Sequence, residues 1–92
     1  MSEEAEQGVI GSILLTYGKA LEELTLHEDD FASPRNAAVY ALLRGLYAKG
    51  RAADLTTAGA ALQTAQDDVK RLVTPAYLYE CSKNTPTSAM VG

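Results

Sequence analysis

The 92-residue sequence has one cysteine, one histidine, one phenylalanine and no tryptophan. A single cysteine excludes an internal disulfide framework and any Cys-rich zinc site. Basic residues are scarce: eight Lys and Arg stand against twelve Asp and Glu, a net charge of −4. The chain therefore lacks the clustered positive charge with which proteins hold nucleic-acid phosphates. Long apolar runs are missing too. The densest, Val9 to Leu15, contains Gly11 and Ser12 and falls far short of the ~20 residues that a bilayer crossing needs. Met1-Ser2-Glu3-Glu4 is acidic, whereas a secretory leader opens on basic residues. A soluble, cytoplasmic chain is expected, with no membrane partner. A chain of this length buries roughly 60–65% of its unfolded surface, enough for one modest core, so residues 1–92 are expected to form a single domain.

The charge is unevenly spread. Residues 1–30 carry eight acids and one base, whereas residues 31–53 hold Arg35, Arg44, Lys49 and Arg51 and no acid. A basic middle between acidic flanks is mostly a matter of solvation. It also offers one candidate partner-binding surface, the outer side around Arg44 and Arg51.

Periodicity predicts helices throughout. Ser2 is placed to cap a helix over 2–16, with Glu3, Glu4 and Glu6 at the positive end of its dipole. Val9, Ile10, Ile13 and Leu14 form its apolar stripe, and Gly8 and Gly11 suggest that another helix crosses closely there. Gly18 suits a left-handed cap. A two-turn helix is expected over Lys19–Leu26, then a polar turn His27-Glu28-Asp29-Asp30, with Phe31 plugging the core. Ser33-Pro34 is a strong start signal, and Val39, Tyr40, Leu43, Leu46 and Tyr47 carry the stripe of a helix over 34–49 that ends at Gly50. Thr56 is expected to cap a helix over 57–66, and Thr74-Pro75 to open one over 75–83 with Tyr77, Leu78 and Cys81 inward. Asp67 to Val73 reads either way. Thr87 or Ser88 is expected to cap a further element that Ala89-Met90-Val91 only begins. The fold class is an all-α bundle of about five to six short helices.

Catalytic motifs are not evident. Gly18-Lys19 lacks the first glycine and the hydroxyl of a phosphate-binding loop. His27 has only sequence-adjacent acids, which do not converge on one point, and the calcium-loop order fails. Cys81 falls in helical phase with Leu78 as a core thiol. Glu22-Glu23 and Asp67-Asp68 point apart on a helix. Arg35 and Arg44 are nine residues apart and face opposite ways, unlike the single polar face of a DNA-recognition helix. No cofactor or metal is expected.

The order of the segments carries more than any one of them. Glu4-Ala5-Glu6-Gln7-Gly8-Val9-Ile10-Gly11-Ser12-Ile13-Leu14-Leu15 resembles the opening of the N-terminal domain of DnaB-type replicative DNA helicases. Leu26-His27-Glu28-Asp29-Asp30-Phe31 is similar to that family's acidic turn and Asp-Phe, and Val39 to Tyr47 to the helix that follows. Gly50-Arg51-Ala52-Ala53-Asp54-Leu55-Thr56-Thr57, ending at Leu62, resembles its Gly, Asp, Thr, Leu succession. Ala76-Tyr77-Leu78 and Thr85-Pro86-Thr87-Ser88-Ala89 resemble its Tyr-Leu helix and the cap beyond. The family usually has a His near Asn36, a Gly-Gly within the stretch Lys70 to Thr74, and an Asn at Met90.

The resemblance implies the globular head of such a domain, truncated before the family's helical hairpin and motor domain. It implies a primosome component in DNA replication that supports ring assembly with other helicase subunits and docks the primase C-terminal domain or a helicase loader. It implies no catalysis in this chain, although a full-length parent would be an ATP-dependent DNA helicase, and no direct contact with nucleic acid. Two other readings are a helical adaptor unrelated to replication, since capped apolar helices are common physics, and a small DNA-binding regulator.

Overall fold

A computed structural model describes residues 1–84; Thr85 to Ala89 and Met90, with the cap expected at Thr87 or Ser88, lie outside the described residues. Ser2 caps α1 (Glu3–Leu15) as expected, its hydroxyl accepting the Ala5 N–H at 3.1 Å. The helix closes through two bonds of a Schellman type, Gly18 N–H to the Ile13 carbonyl at 2.8 Å and Tyr17 N–H to that of Leu14 at 3.3 Å. Both Tyr17 (φ 57°) and Gly18 (φ 98°) are left-handed there. Gly18 has a second constraint: a Cβ on it would lie 2.5 Å from Tyr47 Cδ1 and 3.0 Å from Ala53 Cβ.

The two-turn helix expected over Lys19–Leu26 is instead a 3₁₀ turn, Lys19–Glu22, followed by chain without regular structure. Leu24 and Leu26 are both half-buried against the core in this stretch. The Leu26 carbonyl is claimed at 2.7 Å by the Tyr40 hydroxyl. The acidic segment forms a second 3₁₀ turn, Glu28–Asp30. His27 Nδ1 accepts the Asp29 N–H at 3.2 Å, and the Asp30 carboxylate accepts the His27 N–H at 2.8 Å.

Helix α2 (Pro34–Ala48) matches expectation to within a residue, with Ser33 as its cap. Helix α3 (Leu55–Gln63) starts earlier than expected because Asp54, rather than Thr56, is the cap and accepts the Thr57 N–H at 2.8 Å. The ambiguous stretch is a short α4 (Asp67–Leu72), and α5 (Pro75–Lys83) is capped by Thr74 as expected. No strand occurs among the described residues, and none of their helices is long and apolar enough to cross a membrane.

Helix α1 packs most extensively against α5; α2 meets α1, α3, α4 and the Glu28–Asp30 turn. Gly11 is buried on α1, but a Cβ at Gly8 would meet nothing within 4 Å among the described residues, so close approach does not account for Gly8. Ile10, Ile13, Val39, Leu43 and Leu78 are fully buried between these helices. Phe31 joins them, its ring 4.8 Å from that of Tyr40 and tilted by 33°.

Two glycines should respond with opposite signs. Gly18→Ala is expected to cost about 1–3 kcal/mol, through the left-handed backbone and the collision with Tyr47. Gly45→Ala, inside α2 with nothing among the described residues within 4 Å of its new Cβ, should gain about 0.5–1 kcal/mol. Urea unfolding of both variants checks the pair; equal effects would contradict the packing described at Gly18.

Candidate interaction site

Glu6 lies in the first turn of α1 as expected, but it is fully buried. Its carboxylate reaches the start of α2, accepting the Ala32 N–H at 2.6 Å, the Ser33 N–H at 3.3 Å and the Asn36 side-chain amide at 2.9 Å. An anion at a helix N-terminus meets unpaired N–H groups and the positive end of the dipole. Asn36 is fully buried too, and its carbonyl oxygen accepts the Tyr77 hydroxyl proton. That hydroxyl accepts in turn from the Gln7 amide at 3.3 Å. The Arg35 guanidinium covers the Tyr77 ring, 4.7 Å from its centroid. Side chains from α1, α2 and α5 thus form one polar network inside an apolar core.

Burial pushes the Glu6 carboxyl up, but the Asn36 amide, the Ala32 and Ser33 N–H groups and the N-terminal ammonium outweigh it and hold it below the ordinary glutamate value. Burial likewise pushes up the Cys81 thiol and the Tyr77 hydroxyl. An ionised carboxylate with its oxygens taken by three donors is a brace, and a thiol kept protonated by burial is a poor nucleophile. His27 is spent on its own turn. Among the described residues no three His, Cys, Asp or Glu side chains gather closely enough to hold a metal ion.

The surface offers a different feature. A groove of about 450 Å³ runs between the second half of α2 and the segment 21–27, lined by Leu21, Leu24, Leu26, Tyr40, Tyr47 and Arg44. The Tyr47 hydroxyl donates to Glu22, which pins the segment to the helix. Arg44 is exposed, with its guanidinium 5.6 Å from the Tyr40 ring centroid. Arg51 is also exposed, in the connector after α2, where its N–H bonds the Leu46 carbonyl at 3.1 Å; it is not among the groove residues. Arg35 lies over Tyr77 of α5 and Arg44 beside Tyr40 of α2 itself, so α2 presents no single basic face. Sequence reasoning missed both the groove and the Glu6 network.

A family model for the DnaB-like helicase N-terminal domain matches residues 1–92. No curated protein and no solved structure matches the chain.

Because the Glu6 pKa is lower folded than unfolded, its contribution to stability is complete at neutral pH and is lost as pH falls from about 4.3 through the depressed folded value. Glu6→Gln is expected to cost about 1–3 kcal/mol at neutral pH. Its deficit relative to the wild type should shrink as both are acidified. Urea midpoints at a series of pH values check this, and a deficit that stays constant with pH would contradict an ionised Glu6.

Proposed function

The chain belongs to the DnaB-like helicase N-terminal domain family, and on that premise we propose that it is a protein-interaction module of a replicative DNA helicase. In this reading it supports assembly of the helicase ring and docks primase or a loader, and performs no chemistry of its own. The observation that carries the reading is the match of the family over the whole length of the chain. The use of the interior polar groups supports it: among the described residues Glu6, Asn36 and Tyr77 are tied to one another and to backbone amides, which spends them on fixing helices. Docking then falls to the outer face, and the exposed Arg44 and Arg51 are its proposed contacts. Charges of this kind at a rim steer encounter and choose partners more than they add affinity.

Isothermal titration of the chain with a primase C-terminal domain is expected to give a saturable heat. Reversing both charges, Arg44→Glu with Arg51→Glu, should weaken it about tenfold or more without loss of helicity. Absence of heat with a folded sample at high micromolar concentration would count against docking of primase. Unchanged affinity of the charge-reversed variant would remove the two arginines from the interface.

A further inference from the structure

We infer that the groove between α2 and the segment 21–27 receives an apolar peptide segment of a partner protein carrying a single carboxylate, which pairs with Arg44. That the occupant is protein rests on the docking reading above; its chemistry comes from the groove. Leu21, Leu24 and Leu26 supply half-buried aliphatic walls, and Tyr40 and Tyr47 supply rings behind them. At about 450 Å³ the volume lies within the range of small binding pockets, about 300–1,000 Å³. Arg44 is the cation among the lining residues, and no Asp or Glu stands with it. No carboxylate lies within ion-pair distance of Arg44 among the described residues. Its guanidinium lies 5.6 Å from the Tyr40 ring centroid, so a planar set of donors stands at the groove with no anionic acceptor among the described residues.

The surroundings restrict the partner to one charge. Glu22 is bound by the Tyr47 hydroxyl and Asp30 by the His27 N–H. Both carboxylates are thus held beside groove-lining residues, where they disfavour a run of acids. The same two carboxylates oppose a nucleic acid, which brings a phosphate with every nucleotide. A leucine-rich segment with one aspartate or glutamate meets both conditions: its side chains fill the apolar wall while its carboxylate reaches the one open cation.

The test uses the 92-residue chain and synthetic hexapeptides with blocked ends, two leucines flanking one aspartate, and the same peptide with lysine for aspartate. Side-chain NMR of the chain should show saturable shifts at the Leu21, Leu24 and Leu26 methyls with the aspartate peptide. The lysine peptide should bind about fivefold more weakly or worse, and Arg44→Gln, checked for helicity, should lose a similar factor for the aspartate peptide alone. No groove shifts at peptide concentrations on the order of 1 mM, equal binding of the two peptides, or an unaffected Arg44→Gln variant would overturn the inference. So would the same shifts produced by an oligothymidylate, or by concentrating the chain alone. If a primase C-terminal domain binds and the peptide does not, the groove assignment falls and the docking reading stands. If the peptide binds in the groove and primase does not bind, the docking reading falls and the groove stands.

Discussion

A carboxylate sealed inside a 92-residue protein has to be answered by donors, and the answer to Glu6 organises this fold. Desolvation of an unpaired anion costs several kcal/mol. Here the cost is offset by the amide of Asn36 and the N–H groups of Ala32 and Ser33. The donors belong to the start of α2 and the acceptor to the first turns of α1, so the pairing fixes where one helix begins relative to the other. Tyr77 extends the same arrangement to α5 through Asn36 and Gln7. Apolar contacts supply most of the burial, but they are tolerant of sliding. A donor set of this kind is not, and it selects one packing of the three helices.

The opposite end of α1 is held by a different device. The chain reverses through left-handed Tyr17 and Gly18, Gly18 leaves no room for a Cβ beside Tyr47 and Ala53, and the Ala53 N–H bonds the Tyr17 carbonyl at 3.1 Å. Tyr47 is thereby set against the turn and can reach Glu22. Tyr40, one face against Phe31, holds the Leu26 carbonyl. Those two tyrosines hang the segment 21–27 alongside α2 and leave the groove between them. The surface proposed for docking is thus a consequence of how α1 ends.

Much of this was legible in the sequence. Ser33-Pro34 and Thr74-Pro75 marked the starts of α2 and α5, since a hydroxyl cap and a residue needing no N–H are local chemistry, and the burial of Phe31 followed from its isolation. The helix expected over 19–26 rests on apolar spacing alone, whereas tertiary contacts bury Leu24 and Leu26 against the core and Tyr40 claims the Leu26 carbonyl. Thr56 reads as a cap, but Asp54, two residues earlier, offers a stronger acceptor. Glu6 sits in the first turn of its own helix as expected, and its burial has a signal too: Glu6 stands four residues before Ile10 and seven before Ile13, and Asn36 stands three, four and seven before Val39, Tyr40 and Leu43. A polar residue in phase with an apolar stripe is a candidate for a buried pair. Which two stripes face each other is a tertiary fact, and so is the groove, whose residues come from two segments that a linear reading treats separately.

For a domain whose proposed work is to present surfaces to other proteins, a rigid interior is the functional requirement, and its centre is the ionised Glu6. The most direct measurement is a pH titration of the Glu6 side-chain carboxyl carbon by ¹³C NMR, followed together with the Ala32 and Ser33 amide protons. The account predicts one shared midpoint below the ordinary glutamate value of about 4.3, with both amides moving as the carboxylate is protonated. A Glu6 midpoint at or above that value, or amides that stay still while Glu6 titrates, would contradict it.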